Sequence, residues 1–152
     1  MSTNTAKYNL FTFIKLPSAW WCGVRLKYID DNKAVVRVRH RWFNQNPFKS
    51  MFWAVQGMAA EFTTGVLVSN KIRESGKEIS MLVARNNASF TKKARGKITF
   101  SCEEGQKIDQ ALKSTIASGE GQTIWMKSVG LNEDGVEVSE FNFEWTIKLK
   151  RK

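Results

Sequence analysis

The segment from Ser50 to Ser69 constrains this chain more than any other. It reads as the longest helix. Phe52, Val55, Ala59, Phe62 and Val66 form one apolar stripe, and Ala60 and Leu67 continue the apolar cover on another side. A surface helix keeps a polar face; one that is apolar all round is enclosed all round. The chain carries no run of ~18 uncharged apolar residues, so a bilayer is not the enclosure. The remaining residues must wrap the helix, and a curved sheet from the same chain is the natural wrapper.

The remainder supplies that sheet. Residues 4–15 read as an N-terminal helix with Leu10, Phe11 and Ile14 on its apolar side, stopped by Pro17. Val24, Leu26 and Tyr28 alternate with Arg25 and Lys27. After the turn at Asp30-Asp31-Asn32, Val36, Val38 and His40 alternate with Arg37, Arg39 and Arg41. That is a hairpin with one apolar and one basic face. Four more strands are expected near residues 78–90, 95–103, 121–131 and 135–149. A short helix at 106–117 interrupts them, with Ile108, Leu112 and Ile116 facing inward. Phe141, Phe143, Trp145, Ile147 and Leu149 share one face of the last strand, whereas Val136 and Val138 fall on the other parity. A bulge is therefore expected near Ser139 or Glu140. Strands that cluster without helix-by-helix alternation indicate an antiparallel α+β fold. With 152 residues and no linker or repeat, residues 1–152 read as a single domain.

Composition narrows the function. The chain is 42% hydrophobic, too apolar for disorder, and has a net charge of +10 that suits an anionic partner. One histidine (His40) and two cysteines (Cys22, Cys102) cannot assemble a zinc site, so no metal or cofactor is expected. The cysteines read as buried free thiols. The leading residues lack the pattern of a signal peptide, and a cytoplasmic location is expected. The end, Lys148 to Lys152, reads as a solvated basic tail.

One charged residue lies inside the long helix, Glu61. Its neighbours at three and four positions, Gly57, Met58, Thr64 and Gly65, include no cation. A carboxylate there needs donors from elsewhere or takes a raised pKa. Glycine costs about 1 kcal/mol inside a helix, so Gly57 and Gly65, a turn either side of Glu61, suggest close approach of another segment or a ligand.

The run Asn46-Pro-Phe-Lys-Ser-Met-Phe-Trp-Ala-Val-Gln-Gly-Met-Ala-Ala-Glu61, together with the order of elements, resembles the hotdog superfamily that includes acyl-CoA thioesterases. More closely, it is similar to an uncharacterised thioesterase-like branch related to phenylacetyl-CoA-type thioesterases. In those enzymes an Asn precedes the long helix, a His-Gly-Gly opens it, and a catalytic acid follows about two turns on. Without gaps, the Asn falls on Asn46 and the acid on Glu61, while the His-Gly-Gly position holds Phe52-Trp53-Ala54. The resemblance implies a hotdog fold with an extra N-terminal helix, and a homodimer or dimer of dimers with sites across the subunit interface. It implies a pocket lined by Phe52, Trp53, Ala54, Gln56 and Gly57, with Asn87, Ser89 or Thr91 contributed by the strand after the helix. Glu61 would be general base or nucleophile, and free N–H groups at Trp53 and Ala54 would polarise the thioester carbonyl. Asn46 or Gln56 would orient water or carbonyl, although Gln56 lies about 140° around the helix from Glu61 and reads more readily as a satisfied polar residue. Lys92, Lys93 and Arg95 would meet the phosphates of coenzyme A.

Acyl-CoA thioesterase activity is the expected function. A non-catalytic acyl-CoA or fatty-acyl binder on the same scaffold is the alternative. Nucleic acid ranks third, because the aromatic residues occupy core parity instead of interleaving with the basic ones. A hotdog dehydratase would want a histidine where Phe52 stands. Arg25, Lys27, Arg37, Arg39 and Arg41 read as a solvated face.

Overall fold

A computed structural model describes residues 4–151. The first three residues, part of the stretch read as lacking a signal peptide, and Lys152 of the basic tail lie outside the described residues. The elements run α1 (Thr5–Lys15), α2 (Pro17–Trp21), β1 (Arg25–Ile29), β2 (Ala34–Arg39), a 3-10 turn (Trp42–Asn44), α3 (Trp53–Ser75), β3 (Ile79–Phe90), β4 (Lys97–Cys102), α4 (Gly105–Ser118), β5 (Gln122–Leu131) and β6 (Glu137–Leu149). The strands form one antiparallel sheet in the order β1-β2-β4-β5-β6-β3. One face of this sheet curves around α3, which is the hotdog arrangement.

The long helix begins at Trp53, three residues later than the apolar run. Gln45 and Met51 form a bridge, and the Met51 N–H donates to Ala94 O at 2.8 Å, so the chain is still extended there. It also runs six residues past Ser69 to Ser75. Gly76, at φ 69°, closes it with an N–H bond to Arg73 O. Residues 70–75 are mostly polar, which hid this extension from the hydrophobic pattern. Val55, Ala59, Ala60, Leu67 and Val68 are buried against Phe100, Ile98, Met126, Phe141 and Ile147 of the sheet. Each large apolar side chain buried this way stabilises by about 1.5–3 kcal/mol.

Three bulges set the register. Gly130 pairs with Ser139 but Leu131 pairs with Glu137, so Val138 is an extra residue in β6. Val138 and Ser139 are both buried in consequence, one position ahead of the expected place. In β3, Val83 pairs with Trp145 and Arg85 with Glu144, leaving Ala84 unpaired. In β1, Leu26 pairs with Val36 and Tyr28 with Val35, leaving Lys27 unpaired. This last bulge corrects the alternation expected for β1: Tyr28 turns outward and Ile29 enters the core.

Two helix faces are also corrected. Leu10, Phe11 and Ile14 of α1 are all more than half exposed, and the inward side carries Thr12 and partly buried Tyr8. The helix docks by polar bonds. Asn9 accepts from the Leu26 N–H at 2.9 Å and donates to Leu26 O at 3.1 Å, as a strand partner would. In α4, Ala111 and Thr115 join Ile108 and Leu112 inside, while Ile116 lies partly exposed at the rim. Cys22 and Cys102 are both free thiols, Cys102 buried as expected and Cys22 only partly so.

Candidate functional site

Glu61 sits on α3 facing β6 and α1. Gly65, one turn on, lets Trp145 of β6 close against the helix. A Cβ on Gly65 would fall 3.1 Å from Trp145 Cζ2 and 3.3 Å from Glu61 Oε1. At Gly57 it would meet only Phe141, at 3.4 Å. The close approach expected of these glycines is thus made by aromatic residues of β6, tightly at Gly65 and loosely at Gly57. The Trp145 indole is fixed by donating Nε1–H to Thr64 Oγ1 at 2.9 Å, and Thr64 donates in turn to Glu61 O at 3.0 Å. The Glu61 carboxylate has no hydrogen-bond or ion-pair partner among the described residues. Burial, with no cation to offset it, holds its pKa above the usual carboxylate range. It lines a cavity of about 300 Å³ between α1 and α3, whose walls include Phe11, Leu16, Phe62, Val66, Met81 and Trp145.

The start of α3 lines a second, wider cleft of about 510 Å³, shared with Asn46, Phe48, Phe90, Thr91, Lys92 and Lys93. No side chain caps this helix end. Val55 and Gln56 donate back to Phe52 O, whereas the N–H groups of Trp53 and Ala54 have no acceptor among the described residues. Such groups, with the helix dipole behind them, favour negative charge. The entry to α3 is held from two sides. Asn46 Oδ1 accepts from the N–H of Phe48 at 2.9 Å and of Ser50 at 3.3 Å, and its Nδ2 donates to Ser50 Oγ and Met51 O. Buried Asn44 donates to Cys22 O and Arg39 O, each at 2.9 Å, and accepts from the Arg41 N–H at 2.8 Å. Its own carbonyl accepts from the Phe52 N–H at 2.9 Å.

The sequence-expected residues therefore divide. Asn46, Phe52, Trp53, Gln56, Thr91, Lys92 and Lys93 gather at the second cleft, while Glu61 lies at the first. Gln56 is engaged within the fold: its Oε1 accepts from Ser139 Oγ at 2.8 Å and its Nε2 faces Met51 O at 3.4 Å. Asn46 is spent on its loop. Ala54 and Gly57 line neither cavity. Asn87 and Ser89 pair with Asn142 and Glu140, on the sheet face opposite α3, so they too line neither cavity of this chain. Thr91 donates to Glu137 O at 3.0 Å. Arg95 donates to Lys49 O and edges a further shallow cleft with Lys92 and Lys93. Among the described residues no group of three or more His, Cys, Asp or Glu side chains could hold a metal, and no helix is long and apolar enough to cross a membrane. The sequence reading missed Asn44, whose role depends on contacts distant in sequence. It also missed the walls of the Glu61 cavity, which come from α1, β3 and β6 together.

A family described as "Domain of unknown function (DUF4442)" matches residues 6–147. No curated protein matches the chain. Solved structures do resemble it. A Pseudomonas aeruginosa protein of unknown function, called a probable thioesterase, aligns with a TM-score of 0.85 at 18% identity over 99% of both chains. A Chlorobaculum tepidum protein of unknown function gives 0.83 at 16% identity over 96% of this chain and 94% of that one. A Haemophilus influenzae thioesterase gives 0.75 at 12% identity over 98% and 93%. At these identities the likeness is one of fold.

Proposed function

The chain belongs to the DUF4442 family and has the hotdog fold, and from that premise we propose that it is an acyl-thioester hydrolase with Glu61 as its catalytic carboxylate. The observation that carries this reading is the Glu61 carboxyl itself: partly buried, unpaired, raised in pKa and bordering a mostly apolar cavity. A structural carboxylate in such a place would be held by donors; this one is left to meet a ligand. That several structures of this fold are called thioesterases favours the same chemistry.

In the proposed reaction Glu61 takes a proton from water, whose oxygen attacks the thioester carbonyl carbon. The carbonyl oxygen becomes an oxyanion, which the free N–H groups of Trp53 and Ala54 are suited to hold. The tetrahedral intermediate collapses with cleavage of the C–S bond, and the departing thiolate takes the proton held by Glu61, which restores the carboxylate. Attack by Glu61 itself, through an anhydride that water then opens, uses the same groups.

Glu61 lies eight positions after Trp53 on α3, about 12 Å along the axis. One carbonyl cannot meet both in the same chain. We therefore assign the working site to a homodimer that brings the helix start of one protomer to Glu61 of the other. The open edge of β3 supports such pairing, because a 12-residue strand with an unpaired side is a template for another strand. Lys92, Lys93 and Arg95, beside the helix start, would meet the phosphates of coenzyme A.

The rings of Phe52 and Trp53, in contact at 6.1 Å, flank the free N–H groups, and this favours a second reading in which the protein binds acyl groups without turnover. Hydrolysis of an acyl-CoA panel from acetyl to palmitoyl, with aryl thioesters, by wild type and Glu61→Gln decides between them. Thiol release that is lost in the variant, with circular dichroism unchanged, supports the hydrolase. Saturable binding without thiol release supports the binder.

A further inference from the structure

The cavity beside Glu61 has two unlike ends. Twelve residues along α3 from Glu61, about 18 Å at the helical rise, stands Arg73. Helix α1 borders this stretch, with Tyr8 and Phe11 lining the cavity and Leu16 following at its end. Its first turns are fixed to the end of α3, where Asn70 Nδ2 donates to Tyr8 Oη at 2.9 Å and Arg73 donates to the same hydroxyl at 3.3 Å. Lys7 joins Arg73 at that end, and Phe11 and Leu16 carry the roof back toward Glu61. Arg73 also donates to Asn70 Oδ1 at 2.9 Å, but neither Arg73 nor Lys7 has a carboxylate partner among the described residues. The cavity is thus mostly apolar along its length, with two cations that lack a carboxylate partner at its exposed end and a partly buried carboxyl at the other.

We infer that the acyl group this site accepts carries an anion at its far end: the substrate is an ω-carboxyacyl thioester, the half-thioester of a dicarboxylic acid. The inference rests on the thioesterase reading above and adds to it the class of acyl group. With the thioester at Glu61, an extended chain lies along Phe62, Val66, Met81 and Trp145. Its terminal carboxylate reaches Arg73, whose planar guanidinium pairs a carboxylate through two parallel bonds. At about 300 Å³ the cavity is at the small end of small-molecule sites and suits the acyl chain alone. The carrier's phosphates are a second source of anion, but its pantetheine arm carries two amides that need polar partners. The walls between the two ends are mostly apolar, with Ser69 offering one hydroxyl, and the Trp145 N–H is already given to Thr64.

The test uses non-hydrolysable thioether analogues, so binding is read whether or not the protein turns over. Calorimetry compares S-alkyl-coenzyme A with its ω-carboxyalkyl counterpart of the same length, from octyl to hexadecyl, on wild type, Arg73→Met, Lys7→Met and Arg73→Glu. Wild type should bind the ω-carboxy compound at least about tenfold more tightly, equal to ~1.4 kcal/mol. Arg73→Met should bring that preference close to unity, and Lys7→Met should reduce it. Arg73→Glu should invert the preference in favour of an ω-ammonio chain, an outcome that mere loosening of α1 would not give. Equal binding of both chains by wild type overturns the inference, as does a preference that survives in both methionine variants. The same alkyl groups on pantetheine, without the nucleotide phosphates, separate the two anion sources. If the Arg73 effect disappears there, the anion belongs to the carrier and the acyl assignment falls. Hydrolysis measured alongside judges the thioesterase reading separately: turnover without ω-carboxy preference sinks only the inference, and preference without turnover sinks only the hydrolase.

Discussion

At the scale of single residues, Glu61 links folding to chemistry. Its carboxyl is held protonated beyond the ordinary range by burial alone. In its proposed role as general base it must first lose that proton, so kcat/KM should rise with pH through a limb displaced upward from normal carboxylate titration. Glu61→Gln should remove that limb and lower turnover by about 10²-fold or more, read by thiol release across pH. Stability follows with the opposite sign of benefit. Below the unfolded-state pKa the carboxyl is neutral in both states and costs nothing. As pH rises from the unfolded-state value toward the raised folded-state one, the unfolded chain ionises first and the native state loses ground, and the loss levels off above the folded-state value. Glu61→Gln should therefore match wild type in thermal unfolding at acid pH, gain on it as pH rises between the unfolded-state and folded-state values, and keep a constant lead above them. Equal melting temperatures at every pH would mean that the carboxyl is solvated. Asn44 offers a contrast, since its value is structural. Asn44→Ala leaves the Arg41 N–H and two carbonyls without their partner at the entry to α3, and a loss of about 3 kcal/mol is expected in urea unfolding.

At the scale of elements, α3 and β6 meet through two glycines that differ in the room they have. Gly57→Ala places its Cβ at ordinary contact with Phe141, so helix propensity should make it neutral or stabilising by up to about 1 kcal/mol. Gly65→Ala drives against Trp145 and the Glu61 carboxyl, where overpacking of about 1–3 kcal/mol outweighs the same gain. The paired variants, compared by chemical unfolding, should move in opposite directions. Long-period patterns made these elements legible in the sequence: α3 from its unbroken apolar cover, β6 from parity, its bulge from the parity break between Val138 and Phe141. Glu61 was legible because a charge in such a helix stands out. Shorter signals misled. A single inserted residue, Lys27, moved Tyr28 to the outside, and the apolar residues of α1 advertised a buried side that is in fact exposed. The cation pair Lys7 and Arg73 could not be read at all, since it depends on α1 docking through Asn9 and Tyr8 onto partners far along the chain.

At the scale of the whole molecule, the proposed chemistry needs two chains. Light scattering should give at least twice the monomer mass. A stricter measure mixes two inactive variants. Trp53→Pro removes one N–H from the first position of α3, where proline fits the helix and Phe52 already has an extended ψ of 134°. Trp53→Ala controls for loss of the indole. Unfolding and reassembling Trp53→Pro with Glu61→Gln should restore about a quarter of wild-type activity, because half of the dimers are mixed and each mixed dimer has one intact site. No recovery, with mixed dimers confirmed by mass, would mean that the helix start and Glu61 do not cooperate across subunits.

The seating of Trp145 also has an optical consequence. Of six tryptophans, Trp21, Trp42, Trp53 and Trp125 are exposed and Trp20 is half-buried, leaving Trp145 alone in the interior. A cationic molecule concentrates iodide at its surface. Iodide should quench the outer indoles and leave a blue-shifted emission that comes from Trp145. That residual light originates in the wall of the Glu61 cavity, so the protein carries its own fluorophore for following what enters there, without a label and without turnover.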